Sequence, residues 1–182
     1  MLCGIDEAGR GCLAGPLVVA GAVLKEPILG LNDSKQLSEK QREALFEILK
    51  EKSEHKIVFC DHQMVDEKGL SACLQYAIVS IKAHFLDYEI LMDGNCNFGV
   101  SGISTMIKAD AKVAEVSAAS ILAKVSRDRF MCEIASLYPQ YDFEKHKGYG
   151  TALHVQKIQE FGYCEIHRKS FKLKSLHQPS LF

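Results

Sequence analysis

Residues 17–24, Leu-Val-Val-Ala-Gly-Ala-Val-Leu, form the longest apolar run in the chain. A bilayer takes about 20 such residues, so this run does not span one. Its continuous apolar character and β-branched content instead predict a strand buried on both faces. Residues 2–6 read as a second strand. The turn Gly11–Pro16 between them has a length that suits an antiparallel hairpin.

The remaining segments supply the rest of a sheet and its cover. Ser38 and Gln41 form a capping box opening a helix to about Lys52, with Leu45, Phe46, Ile48 and Leu49 as its apolar stripe. Strands are expected at His55–Asp61, Tyr88–Met92 and Ser104–Lys108. Helices are expected at Val65–Leu86, at Val116–Leu137, where Ala118, Ile121, Leu122, Val125 and Cys132 recur, and from Thr151 to Phe161. The fold class is therefore α/β: a mixed five-stranded sheet flanked by helices, with a C-terminal helical appendage. Residues 1–137 read as the core, and residues 138–182 as the appendage and tail. Everything past His167 reads as short, basic and loosely packed.

With 182 residues, 47% of them apolar, the chain can build a real core. The net charge of −1 supplies no overall field for nucleic acid, so any basic patch must be local. Seven widely spaced cysteines, without a C-x-x-C pair, argue against a disulfide framework and a zinc site. Most read as small core hydrophobes in a reducing compartment. No signal peptide is evident, so the cytoplasm is the expected location.

Chemistry concentrates in Gly4-Ile5-Asp6-Glu7-Ala8-Gly9-Arg10-Gly11. Carboxylate oxygens suit hard divalent cations, and glycines let backbone approach a ligand. Asp6, Asp93 and Asp110 each fall at or just after an expected strand end, where functional groups gather in α/β sheets. Together with Glu7 they would repel one another unless cations bind between them. Two magnesium ions about 3.5–4 Å apart suit such a cluster and support in-line phosphodiester displacement. Neighbouring strand residues point to opposite faces, so Asp6 is the firmer ligand and the orientation of Glu7 is open. Taken singly, Asp93 also fits an ordinary Asp-Gly turn, and Asp110 a charge at a helix N-terminus.

The octet, with Leu13-Ala14-Gly15-Pro16 and Asp33-Ser34-Lys35-Gln36-Leu37-Ser38, resembles the opening of ribonuclease HII. Further matches are Asp93-Gly94, Lys108-Ala109-Asp110, the run from Ser117 to Asp128, His146 to Thr151, and His167 to Phe171. The resemblance implies an RNase H-like fold. It also implies cleavage of RNA in RNA–DNA hybrids and at single ribonucleotides embedded in duplex DNA, leaving 5′-phosphate and 3′-hydroxyl ends. Asp6, Glu7, Asp93 and Asp110 would be catalytic acids holding two Mg²⁺ or Mn²⁺ ions. Gly9, Arg10 and Gly11 would read the ribose 2′-hydroxyl through their backbone, and Tyr149 would stack on the junction sugar. The sister family, ribonuclease HIII, carries another residue in place of Arg10 and an N-terminal extension, so the HII family is the expectation. Cys12 stands where that family usually has proline.

Lys145, Lys147, Lys157, Arg168, Lys169, Lys172 and Lys174 outnumber the acids nearby and suit a duplex backbone. Lys35 and Lys124 are further phosphate candidates. Most of the seven histidines read as surface residues without a catalytic role. The terminal Gln178-Pro179-Ser180-Leu181-Phe182 resembles the peptide that docks bacterial replication proteins on the sliding clamp. The expected partners are thus hybrid and ribonucleotide-containing duplexes and the clamp, with the chain itself a monomer. Two alternatives are an RNase H-fold nuclease acting on DNA alone and a non-enzymatic hybrid-binding module.

Overall fold

The computed structural model describes residues 1–31 and 37–171. Strands β1 (Leu2–Ala8) and β2 (Leu17–Leu24) are followed by helix α1 (Glu39–Lys52) and strand β3 (Ser53–Cys60). Helices α2 (His62–Lys68) and α3 (Leu70–His84) lead to strands β4 (Glu89–Asp93) and β5 (Ser104–Met106). Helices α4 (Ala114–Ala135), α5 (Phe143–His146) and α6 (Ala152–Phe161) complete the order. The five strands lie in one sheet, β3-β2-β1-β4-β5. β1 pairs antiparallel with β2 and parallel with β4, so the expected hairpin and the mixed sheet are both present.

The two-residue period of the strands sorts the core. Cys3 and Ile5 of β1, Leu17, Val19 and Val23 of β2, and Ile90 and Met92 of β4 meet Leu74, Ile78 and Ile81 of α3. Ala8 of β1 and Val18, Ala20 and Ala22 of β2 pack instead with Leu45, Phe46 and Leu49 of α1 and Ala118–Ala123 of α4. β2 is thus buried on both faces, as its sequence predicts. Gly4 is what admits α4 so closely to β1: a Cβ there would lie 2.3 Å from the Glu115 and Val116 backbone. A third cluster joins Ala14 and Met131 to Tyr141, Phe143 and Ile166 beyond α4.

Four expectations need correction. β1 runs to Ala8, so Asp6 and Glu7 lie inside the strand rather than at its end. The single helix expected over 65–86 is two helices, parted at Gly69, with Asp61 capping the first through the Met64 amide. An unbroken apolar period hid that break. Ile48 and Cys132 are exposed, because α1 and α4 turn those positions outward. The segment past His167 is not loose at its start, since His167 and Arg168 have no solvent exposure. The capping box at Ser38 and Gln41 is present as expected. No helix among the described residues is long and apolar enough to cross a membrane.

Candidate active site

The parallel register of β1 and β4 sets Ile5 opposite Met92. Continuing one residue places Asp93 beside Asp6, and the strand period turns both toward the α4 face. There Ser120 of α4 donates a hydrogen bond to the Asp6 carboxylate. Asp6, Glu7 and Asp93 line one pocket of about 320 Å³ with Gly9, Arg10, Gly11, Arg42, Ser120, Lys124 and Tyr149. It opens where β1 and β4 end, the usual place for a site in such a sheet.

The carboxylates feel one another. Burial pushes the Asp6 carboxyl up to about 8, and the charges of Glu7 and then Asp93 add to the shift. Hydrogen bonds from the Ser120 hydroxyl and the Glu7 amide oppose it, the latter at 2.8 Å. Asp93 Oδ1 accepts the Ala109 amide at 2.7 Å, which ties the end of β4 to the turn before α4. Glu7, alternating away from Asp6, still borders the pocket, and Arg10 Nη1 lies 3.5 Å from its Oε1. Asp110 is buried in the turn Ala109–Ala111 and lines an adjacent recess with Leu31, Lys112 and Ser117 rather than the main pocket. Among the described residues, no three His, Cys, Asp or Glu side chains are gathered tightly enough to hold a metal as they stand. The donor set is nonetheless all carboxylate oxygen with a raised proton affinity at Asp6, which is the chemistry a hard divalent cation satisfies.

The same pocket is also lined by backbone from the turn that follows β1. Gly9 takes φ +88 and packs on Arg127, whose Nε a Cβ there would approach to 2.1 Å. Cys12 donates to the Gly9 carbonyl at 3.4 Å, closing a β-turn with Arg10 and Gly11 at its corners. Arg127 is fully buried and donates to the carbonyls of Pro16 at 2.9 Å, Ala14 at 2.9 Å and Lys147 at 2.7 Å. The Tyr149 ring sits beneath Lys124 Nζ at 4.8 Å and the Arg127 guanidinium at 5.3 Å. Burial and the neighbouring Cys12 thiol push the Tyr149 hydroxyl up to about 12. Cys12 is fully buried and unbonded to any other cysteine, a packing residue as expected. The Arg10 side chain stays exposed, over the Phe98 ring at 5.6 Å.

Several roles escaped the sequence. Ser120 and Arg42 border the pocket, yet neither stands out from ordinary helix residues in the sequence. Arg168 is buried beneath the turn rather than facing a duplex, and Lys145 and Lys157 pair with Asp142. His146, His154 and His167 are also buried, three histidines that the sequence did not single out from the rest. Their signal, proximity across segments, exists only in the fold. Lys35, Lys172, Lys174 and the 178–182 peptide lie outside the described residues.

Residues 3–174 match the family model described as Ribonuclease HII. A Ribonuclease HII of Aliarcobacter butzleri is 63% identical over 177 residues, covering 96% of this chain and 92% of that protein. The RNase HII of Archaeoglobus fulgidus, solved in complex with PCNA, superposes with a TM-score of 0.84 at 26% identity, covering 100% of this chain and 98% of that one. Bst-RNase HIII, solved with Mn²⁺, shares the fold with a TM-score of 0.70 at 20% identity, covering 88% of this chain and 62% of that one. A carboxylate pocket facing a Gly-Arg-Gly turn, matched along almost the whole chain, places this protein in the ribonuclease HII family of metal-dependent ribonuclease H endonucleases.

Proposed function

We propose that the protein cleaves RNA in RNA–DNA hybrids and at single ribonucleotides within duplex DNA, on the 5′ side of the ribonucleotide. The observation that carries this reading is one pocket lined both by the carboxylates Asp6, Glu7 and Asp93 and by the turn Gly9–Gly11. The 2′-hydroxyl is the local difference between RNA and DNA, and a glycine turn brings backbone groups within its reach. Asp6, Glu7 and Asp93, joined by Asp110 from the adjacent recess, would hold two Mg²⁺ or Mn²⁺ ions. When bound, such ions supply charge stabilisation at the phosphate and an activated water nucleophile.

The remaining residues bind and orient. Arg10 and Gly11 present amides to the sugar, and the half-buried Tyr149 ring offers a flat face for stacking against it. Lys124, held by Asp128 at 2.9 Å, places a positive charge at the pocket rim for a backbone phosphate. Residues 138–182 serve as a substrate-binding appendage, and ribonucleotide removal from cytoplasmic DNA is the role that fits. The C-terminal Gln178-Pro179-Ser180-Leu181-Phe182 would dock on a sliding clamp, a reading supported by the Archaeoglobus fulgidus relative solved with PCNA.

Rates on three duplexes of one sequence test the proposal: a hybrid tract, a single embedded ribonucleotide, and all DNA, each with Mg²⁺ and with Mn²⁺. Cleavage of the first two and not the third is expected. Equal cleavage of the all-DNA duplex would overturn it in favour of a DNA nuclease. Deleting residues 178–182 should abolish clamp binding, and unchanged affinity would remove the docking role.

A further inference from the structure

Arg168 is a fully buried guanidinium, lying over the Phe171 ring at 5.2 Å, and the Asp66 carboxylate acts on it by its charge without a direct hydrogen bond. Burial lowers its pKa to about 10, so it stays charged at neutral pH. An unpaired buried charge is costly unless polar groups surround it. Those groups come from the turn that carries Gly-Arg-Gly: Nε donates to the Gly15 carbonyl at 2.9 Å and Nη1 to the Arg10 carbonyl at 3.2 Å. The Arg168 amide also donates to Leu13 at 2.8 Å, and Gly15 donates back to Ile166 at 2.9 Å. Its third donor atom, Nη2, is buried with no hydrogen-bond partner. The residue is therefore held in place for bonds to the turn, at the cost of an unsatisfied donor.

The Arg10–Gly11 peptide is the central peptide of the turn that Cys12 closes onto Gly9. Rotating that peptide by about half a turn interconverts the two common turn types, and glycine in the third position makes both accessible. Gly11 here does not take a positive φ, so the turn occupies one of those two states. A peptide is planar and trans, so its carbonyl and its N–H point in opposite directions. Nη1 draws the Arg10 carbonyl inward, which sends the Gly11 N–H outward. Gly11 lines the pocket, and its amide donates no hydrogen bond among the described residues.

We infer that Arg168 is a positioning residue that latches the Arg10–Gly11 peptide in the flip that offers the Gly11 amide to the substrate sugar. This rests on the reading of the turn as the 2′-hydroxyl sensor. Arg168 then acts on the choice of sugar and not on phosphate binding or on the acids.

The test measures affinity for a duplex with one ribonucleotide and for its all-DNA counterpart, in an Asp6→Asn background so that no substrate is consumed. The readout is the ratio of the two affinities. Arg168→Gln should reduce that ratio about fivefold, the loss of roughly one directed hydrogen bond. All-DNA affinity should stay within about twofold, since phosphate contacts are untouched. Arg168→Lys keeps the charge but has one nitrogen where Arg168 uses two for the Gly15 and Arg10 carbonyls, and its ratio should fall between those of the parent and Arg168→Gln. A folded Arg168→Gln protein with the parent's ratio would overturn the inference. If Arg168→Gln does not fold, an undiminished ratio in Arg168→Lys overturns it equally. A parent with no preference for the ribonucleotide would instead sink the 2′-hydroxyl reading itself, and the latch with it.

Discussion

The two walls of the pocket are built in opposite ways. The acidic wall comes from neighbouring parallel strands, where one register step sets Asp93 beside Asp6. The other wall is a loop whose shape is imposed from elsewhere in the chain. Arg127 holds three of its neighbouring carbonyls, Gly148 accepts from Leu13 at 2.9 Å, and Arg168 braces the turn from beneath. One wall concentrates negative charge and strains against itself, whereas the other spends buried positive charge on backbone carbonyls. Reactivity is thus separated from recognition, and each wall should fail in its own manner.

The largest contrast is expected from the acidic wall. Asp6→Asn should reduce cleavage of a single-ribonucleotide duplex by about a thousandfold or more, a loss of roughly 4 kcal/mol of transition-state stabilisation. The same variant should melt no lower than the parent in chelator at pH 7. The folded Asp6 carboxyl is pushed up to about 8 from an ordinary 3.8, so above pH 3.8 folding must protonate or bury a group that is ionised in the unfolded chain; that costs stability at pH 7, and Asn removes the cost. A large drop in Tm would show that Asp6 is a structural residue instead.

The loop wall should show the reverse pairing. Arg127→Met orphans three buried carbonyls and should destabilise the chain by about 4 kcal/mol in denaturant unfolding. A change below about 1 kcal/mol would show that the loop holds its shape without the guanidinium. Tyr149→Ala, which removes a stacking face, should raise KM roughly tenfold or more with little change in kcat. Tyr149→Phe keeps the ring and should stay within about threefold. If Phe is as damaging as Ala, the hydroxyl and its bond to Cys12 are what matter.

Much of this was legible in the sequence, and the reason differs by wall. Strand period is a local signal, and it put Asp6 and Asp93 on strands of one sheet, with Asp93 ending its strand and Asp6 lying inside its own. Gly69 did not stand out because the apolar period continues from α2 into α3. Arg168 was read as a duplex-facing residue because arginine is mostly exposed, and nothing in the sequence singled out His146, His154 and His167 for burial. Only the approach of segments far apart in the chain buries them. His154 and His167 lie 3.0 Å apart through their Nε2 atoms, while Cys164 donates its amide to His167 Nδ1 at 2.9 Å. That leaves His167 Nε2–H as the donor to His154, whose Nδ1–H reaches the Tyr149 carbonyl at 3.0 Å.

The histidine pair gives a pH dependence of stability rather than of activity. Burial holds both His154 and His167 down at about 4, against an ordinary 6.5. The unfolded chain then binds more protons between those values, so stability is full above pH 6.5 and falls as the pH drops toward 4. Unfolding midpoints should decline from pH 7 to pH 5, and His167→Asn should flatten the slope. A parent whose midpoint is level over that range would show that the pair tolerates charge.

The separation of reactivity from sugar recognition is tested most directly by mapping where a duplex with one ribonucleotide is cut, and with which ends. The account predicts a single cut on the 5′ side of the ribonucleotide, leaving a 3′-hydroxyl and a 5′-phosphate, with either Mg²⁺ or Mn²⁺. Cuts scattered through the deoxyribonucleotides, or no cut with either metal, would contradict it.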